Sequence, residues 1–197
     1  MQILSGKYKK CRLNYPKKGS MRPTQNQVKE SLFNILGSRF GDISGTRILD
    51  LCCGTGQNGL EALSRGAGHV TFVDIDVRYV VQNVRQLSEI DATINASIQI
   101  KKKESVRFIL EWAQDVNTQD RYDIIFFDPP WTMDSLYDDT LKCIFEFDIL
   151  SKQGMLVFEH SKKMDLPVIL NSQTINRMIN QNQYFYGNTG LTVVTCL

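Results

Sequence analysis

From Thr46 onward, short apolar runs alternate with stretches whose apolar residues recur at helical spacing. This alternation restricts the fold more than anything else in the 197 residues. "RILDLC" reads as a buried strand, and "NGLEALSRGA" as a short helix closed by a glycine. "HVTFVD" with "VRYVVQNVRQL" repeats the pair, as do "ASIQIKK" with "ESVRFILEWA" and "YDIIFFD" with "SLYDDTLKCIFEF". "GMLVFEH" is a fifth strand, and "LPVIL" beyond it is at most a helical turn. Strands separated by helices lie parallel, in a doubly wound sheet covered on both faces. Two further strands, "TINRMINQNQYFY" and "GLTVVTCL", flank the turn "GNTG" and so run antiparallel to each other. The expected fold is α/β: a Rossmann-like, mostly parallel sheet of seven strands with an antiparallel C-terminal strand.

The first forty residues differ from the rest. Residues 1–40 hold nine Lys/Arg and one acid, Glu30, for a net +8, whereas residues 41–197 hold fourteen Lys/Arg and twenty acids, for a net −6. Residues 2–15 alternate loosely around a Gly-Lys turn and read as a short basic hairpin or arm. Thr24 with Gln27 is a capping-box pattern, in which each side chain meets an orphan backbone N–H. Val28, Leu32, Ile35 and Leu36 follow at helical spacing, so a helix is expected from near Thr24 to near Gly37. The chain is thus divided into a basic N-terminal extension, 1–40, and a main domain, 41–197. A basic segment beside an acidic body suits contact with phosphates and singles out Lys9, Lys10, Lys17 and Lys18; a solvated tail is the other reading.

Apolar runs of five residues or fewer leave no room for a transmembrane helix, and "MQILSGKYKK" lacks the apolar stretch of a signal peptide. A cytoplasmic protein without membrane contact is expected. Five cysteines with no C-x-x-C pair, and only two histidines, argue against a metal site or a disulfide framework.

"DLCCGTGQNG" joins the first strand to its helix, and Gly54, Gly56 and Gly59 spell G-x-G-x-x-G. Glycines there allow a tight turn and close approach of a ligand to backbone N–H groups. Asp50 ends the strand before this loop, and Asp74 ends the second strand, where an acid can bind ribose hydroxyls. In a dinucleotide site the glycines cradle a pyrophosphate, which a carboxylate would repel. S-adenosyl-L-methionine carries an ammonium and a sulfonium instead, and Asp50 suits its amino group by charge-assisted hydrogen bonding. Glu104 follows the third strand, within reach of an adenine edge or else in a solvated loop with Lys101–Lys103. Asp76 reads as structural.

"DIIFFDPPW" closes the fourth strand. In open α/β sheets ligands bind outside the carboxyl ends of the strands, near the point where strand order reverses. Asp50, Asp74 and Asp128 should therefore converge on one crevice. An exocyclic amino nitrogen of a nucleobase is a poor nucleophile, because its lone pair is delocalised into the ring. Asp128 can accept a hydrogen bond from that group, orient its lone pair and receive the departing proton. Pro129 and Pro130 lack N–H donors and lock φ, which fixes the strand exit. Trp131 offers a ring face for stacking, worth roughly 1–3 kcal/mol per base. Extracting a base costs a few kcal/mol, which such contacts can offset. A turn with Trp131 packed on the core is the bland alternative.

Together, "MRPTQNQVKESLFNIL", "ILDLCCGTGQNGLEALSRGA", "VTFVDID", "DIIFFDPPW", "LVFEHSKK" and "YGNTGLTVV" resemble the bacterial RsmD-like methyltransferases, from about Ile3 to the C-terminus and in the family's order. The resemblance implies a class I methyltransferase fold with a basic N-terminal appendage. It also implies transfer of a methyl group from S-adenosyl-L-methionine, giving S-adenosyl-L-homocysteine, to the N2 amino group of one guanine in 16S rRNA. The partner would be that rRNA, or a small ribosomal subunit or its assembly intermediate, and the protein a monomer. Asp50, Gly54 and Gly56 match the donor loop, Asp74 the ribose-binding acid, and Asp128, Pro129, Pro130 and Trp131 the catalytic tetrapeptide. Arg22 and Thr24 match an Arg-Pro-Thr element near the active site. Relatives more often end the tetrapeptide in Phe or Tyr. Glu104 falls where the family usually has Asp in Gly-Asp-Ala. Cys52 and Cys53 replace the usual Phe-Ala in the donor-binding loop and read as small core fillers rather than nucleophiles. His160 and Ser161 also match, although a polar strand end explains them equally.

Two other activities stay open on sequence. A DNA adenine-N6 methyltransferase uses the same tetrapeptide logic but usually carries a separate recognition domain. A non-catalytic factor could keep the donor pocket and bind RNA without turnover. A nicotinamide oxidoreductase is disfavoured by Asp50.

Overall fold

The computed structural model describes residues 1–16, 26–115, 120–164 and 178–196. Its elements run α1 Asn26–Phe40, β1 Arg47–Leu51, α2 Gln57–Ser64, β2 His69–Asp74, α3 Arg78–Ile90, β3 Ile98–Lys102, α4 Ser105–Gln114, β4 Tyr122–Phe127, α5 Asp134–Glu146, β5 Leu150–Ser161, β6 Met178–Tyr186 and β7 Thr189–Cys196. A 3₁₀ turn at Ala92–Ser97 precedes β3.

The strands form one seven-stranded sheet of order β3-β2-β1-β4-β5-β7-β6. Strands β1 to β5 are mutually parallel. β7 inserts between β5 and β6 and runs antiparallel to both. This is the expected mostly parallel Rossmann-like sheet with an antiparallel C-terminal strand. Strand order reverses between β1 and β4, which places the ligand crevice at their carboxyl ends.

Both faces of the central strands are buried, which explains why those strands read as unbroken apolar runs rather than alternating ones. Ile48, Ile124, Phe126, Met155 and Val157 face a core shared with Leu32, Phe33 and Leu36 of α1, Leu60 of α2 and Val80 and Val84 of α3. Leu49, Leu51, Ile125, Phe127, Leu156 and Phe158 face the other core, with Phe108 and Ile109 of α4 and Tyr137, Leu141 and Ile144 of α5.

Helix α1 does not stop near Gly37 but continues to Phe40. Gly37 stays out of the left-handed region. Gly41 adopts φ 68° and donates its N–H to the Gly37 carbonyl at 2.8 Å. A left-handed residue just past the last turn is what ends a helix, so Gly41 is the stop. Thr24, the expected cap, lies outside the described residues, as do "LPVIL" and residues 174–177 of the penultimate strand.

Residues 1–13 form the expected hairpin, with Ile3 N–H on the Cys11 carbonyl at 3.0 Å and Leu13 N–H on the Met1 carbonyl at 3.1 Å. It is docked rather than free. Ile3, Tyr8 and Leu13 are buried in the first core. Glu61 of α2, fully buried, accepts the Leu4 N–H at 2.6 Å and the Ser5 N–H at 2.9 Å. Buried Lys29 of α1 donates to the Gln2 carbonyl at 2.7 Å and faces Glu61 at 3.4 Å. Burial lowers the Lys29 pKa, and the Glu61 carboxylate opposes that shift.

Gly59 lies where α2 crosses β2. A Cβ there would sit 2.4 Å from the Phe72 ring. Gly59→Ala is therefore expected to lower unfolding free energy by about 1–3 kcal/mol through overpacking, measured by denaturant titration.

Candidate active site

The loop from β1 to α2 is held by the acids that end the strands. Asp50, 1% exposed, accepts the Gly59 N–H at 2.9 Å. Asp74, half-buried, accepts the Gly54 N–H at 2.8 Å through one oxygen and the Asp76 N–H at 2.8 Å through the other. Each side chain thus orients a turn by accepting backbone N–H groups. Gly56, at φ 75°, comes so close to Val80 that a Cβ would lie 2.6 Å from it. Gly54 is also left-handed, at φ 54°. The loop backbone is therefore bare of side chains at both positions.

Cys52 adopts φ 56° and packs its sulfur 3.3 Å from the Ser105 hydroxyl at the start of α4. Burial pushes its thiol up to about 12, with the Asp74, Asp128 and Asp50 charges adding. Cys53 is buried, and burial raises its thiol too. Neither is a thiolate at neutral pH, which fits space-filling rather than attack. Burial also raises Asp50 to about 8, opposed by the Gly59 hydrogen bond.

Asp128 sits one residue past the end of β4, its N–H on the Leu51 carbonyl at 3.3 Å. That bond ties the tetrapeptide to the strand that launches the glycine loop. Burial raises the Asp128 carboxyl well above the usual range, and the charges of Glu159 and Asp50 add to the shift. Pro129 is buried, Pro130 exposed and Trp131 half-buried. Buried Tyr137 of α5 braces this exit: its O–H lies 3.4 Å from the Pro129 carbonyl and donates to the Glu159 carbonyl at 2.8 Å. The Pro130 carbonyl accepts the Met133 N–H at 3.1 Å.

A shallow recess with about 10 Å³ of enclosed space lies beside Asp128, lined by Val28 and Leu32 of α1, Asn58 of α2, Phe126, Val157 and Glu159. The sequence reading passed over Glu159 and Asn58. Glu159 had a signal, because it ends an apolar run as Asp50, Asp74 and Asp128 do. His160, the next residue, is buried and holds the Thr192 hydroxyl at 2.8 Å and the Ser161 carbonyl at 2.9 Å. His160 fastens β5 to β7. Ile75, next to Asp74, is 70% exposed and was also passed over.

Asp50, Cys52, Gly54, Gly56, Asp74 and Asp128–Trp131 thus gather at the carboxyl edge of β1, β2 and β4. Glu104 is exposed at the start of α4, beyond β3. Lys9 and Lys10 are exposed on the hairpin turn. That turn packs on the far end of α2, where Lys7 N–H meets the Ser64 carbonyl at 2.6 Å. The helix has 8 residues, so they stand about 12 Å along it from the glycine loop. Lys17, Lys18, Arg22 and Thr24 lie outside the described residues. Among the described residues no group of acids, cysteines and histidines is arranged to hold a metal ion, and no helix is long and apolar enough to cross a membrane.

The model of a family described as "Conserved hypothetical protein 95" matches residues 1–191. YlbH of Bacillus subtilis (strain 168), named as a candidate rRNA methyltransferase, is 33% identical over 98% of this chain and 97% of its own length. Ribosomal RNA small subunit methyltransferase D of Buchnera aphidicola subsp. Acyrthosiphon pisum is 30% identical over 93% of this chain and 91% of its own. The solved structure of hypothetical protein TTHA0928 of Thermus thermophilus superposes with a TM-score of 0.76 at 26% identity, covering 98% of both chains.

Proposed function

The chain belongs to the Conserved hypothetical protein 95 family, the RsmD-like methyltransferases, and from that premise we propose that it transfers a methyl group from S-adenosyl-L-methionine to the N2 amino group of a guanine in 16S rRNA. One observation carries the reading: Asp128-Pro-Pro-Trp and the glycine loop meet at the switch point between β1 and β4, joined through the Leu51 carbonyl.

The residues present fit the donor. Gly54 and Gly56 leave loop backbone open to close approach. Asp74, half-buried at its strand end, keeps lone pairs for ribose hydroxyls, and exposed Ile75 gives an adenine an apolar face. Asp74 beside the loop suits an ammonium and repels a pyrophosphate, while buried Asp50 shapes the loop through the Gly59 N–H. The donor supplies an electrophilic methyl on a positively charged sulfur. Asp128 accepts one N–H of the base amine, aims the nitrogen lone pair at that methyl and takes the proton released when the N–C bond forms. Burial raises its pKa, which makes it a stronger proton acceptor than an exposed carboxylate. Pro129 and Tyr137 keep the carboxylate in place, and Trp131 stacks on the base. Such positioning supplies much of the rate gain.

Incubating the protein with labelled donor and small-subunit particles lacking the modification tests this. N2-methylguanosine in the nucleoside digest is the expected product. N6-methyladenosine, or no product with donor still bound, would overturn it.

The exposed Lys9 and Lys10 would meet RNA phosphates at a distance from the reacting base, together with Lys17 and Lys18. Charge reversal at Lys9 and Lys10 together is expected to weaken RNA binding and reduce the slope of log K against log salt by about 2, one unit per lost phosphate contact. Filter binding across a salt series reads this directly, and an unchanged slope removes the hairpin from the RNA surface.

A further inference from the structure

Strand β6 ends in three aromatic residues that the mechanism above does not use. Residues 180–183 are all Asn or Gln, and Tyr184, Phe185 and Tyr186 follow. We infer that Phe185, with Lys162 and Lys163 just past the end of β5, forms a second RNA subsite at the carboxyl edge of the sheet. The ring stacks an unpaired base that flanks the target, and the two ammonium groups take backbone phosphates. The inference rests on the proposed function and extends its substrate surface.

Sheet register brings this group to the side of the candidate active site. β6 runs antiparallel to β7 and β7 antiparallel to β5, so β4, β5 and β6 all point the same way. Phe127 pairs with Phe158, Phe158 with Thr192 and Thr192 with Gln183. Asp128 lies one residue past that row and Phe185 two residues past it, both toward the carboxyl edge. Three strand spacings of about 4.8 Å put Phe185 about 14 Å across the sheet from Asp128.

Tyr184 and Tyr186 pack against the first core and are half-buried. Side chains alternate along a strand, so Phe185 points to the opposite face, where it is 48% exposed. Its neighbour on β7 is Gly190, which has no side chain to cover the ring. The Lys162 Nζ lies 5.8 Å from the centre of that ring, and Lys162 and Lys163 are both exposed. Among the described residues no carboxylate pairs with either ammonium.

An aromatic ring left in water beside unpaired cations suits one class of partner. Single-stranded nucleic acid is held by rings that stack its bases, each worth about 1–3 kcal/mol, and by cations that follow its phosphates. Every base has a π face, so such a subsite adds affinity and leaves the choice of guanine to the residues around Asp128. A base drawn out to Asp128 leaves its flanking nucleotides running along the carboxyl edge, where Phe185 stands. Lys9 and Lys10, at the far end of α2, serve phosphates farther from the reacting base.

The test is filter binding of the full-length protein, saturated with S-adenosyl-L-homocysteine, to protein-free 16S rRNA and to small-subunit particles lacking the modification. Phe185→Ala is expected to weaken both about 5- to 150-fold, the loss of one stacked base. Single-turnover transfer at saturating RNA should stay within about twofold, because the lost contact is uniform binding. Phe185→Leu, apolar but without a π face, should lose as much as Phe185→Ala, whereas Phe185→Tyr should stay within about threefold of the wild type. Lys162→Gln with Lys163→Gln is expected to lower the slope of log K against log salt by about 1.4, at about 0.7 per phosphate contact on a single strand. Calorimetric binding of S-adenosyl-L-homocysteine checks that each variant is folded. Wild-type binding by Phe185→Leu, or an unchanged salt slope in the double variant, overturns the subsite. A loss on particles alone would assign Phe185 to a ribosomal protein and overturn it too. Wild-type transfer to no guanine, with these binding losses intact, would instead overturn the proposed function and leave the subsite standing.

Discussion

Asp128→Ala should lower the methyl-transfer rate by about 10³-fold and leave donor binding within about twofold. A positioned hydrogen-bond acceptor and proton acceptor typically contributes about 10²–10⁴-fold. In the proposed function the donor sits on the glycine loop beside Asp74, and the hydrogen bonds that shape this loop do not involve the Asp128 side chain. The fold should not suffer, since a carboxyl whose pKa is raised by burial and by Glu159 is destabilising when ionised. The same shift sets a pH dependence. Asp128 must be ionised to accept from the amine, and its folded pKa lies well above the ordinary carboxylate range. Transfer is therefore lost as pH falls through that raised value and recovers as pH rises above it. Single-turnover rates across pH should show this limb in the wild type and lose it in Asp128→Asn. A limb at an ordinary carboxylate pKa would show that some other group titrates.

The second large effect concerns stability. Glu61→Ala should lower unfolding free energy by about 3–5 kcal/mol, because it strips a buried cation of its counter-charge. Lys29 is fully buried against Glu61, and the Leu4 and Ser5 N–H groups lose their acceptor as well. The hairpin should then detach from α2, seen as faster amide exchange at residues 1–13. A double variant, Glu61→Gln with Lys29→Met, should recover most of the loss by removing the stranded charge. Thermal or denaturant unfolding reads both. A loss below about 1 kcal/mol for Glu61→Ala would mean that the pair contributes little and that hydrophobic docking of Ile3, Tyr8 and Leu13 suffices.

Glu61 also shows where sequence reasoning stops. Counted along the chain, Lys29 is one more positive charge in a basic segment. In three dimensions it is closed off from any phosphate by Glu61 and the Gln2 carbonyl. Lys7 is likewise paired with Asp91. Charge counting treats every lysine as solvated, and it cannot see partners 32 or 84 positions away. Strand identity was far more legible, because burial on both faces writes itself as unbroken apolar runs such as Ile124–Phe127. The convergence of Asp50, Asp74 and Asp128 followed from the rule that parallel strands present their carboxyl ends together. The insertion of β7 between β5 and β6 carries no local signal; only the antiparallel turn could be read. Glu159 was legible by the same strand-then-acid rule, but its meaning needs the β4–β5 register. Asn58 had no sequence signal beyond its place after the glycine loop.

The central claim is one methyl group on one guanine, placed through Asp128. Mass mapping of 16S rRNA from cells with and without the gene tests it most directly. A guanine that carries N2-methylation with the gene, loses one methyl mass without it and stays unmethylated when only Asp128→Ala is supplied is the predicted result. An identical methylation map in both cells, or a lost methyl on adenine or cytosine, would contradict the account.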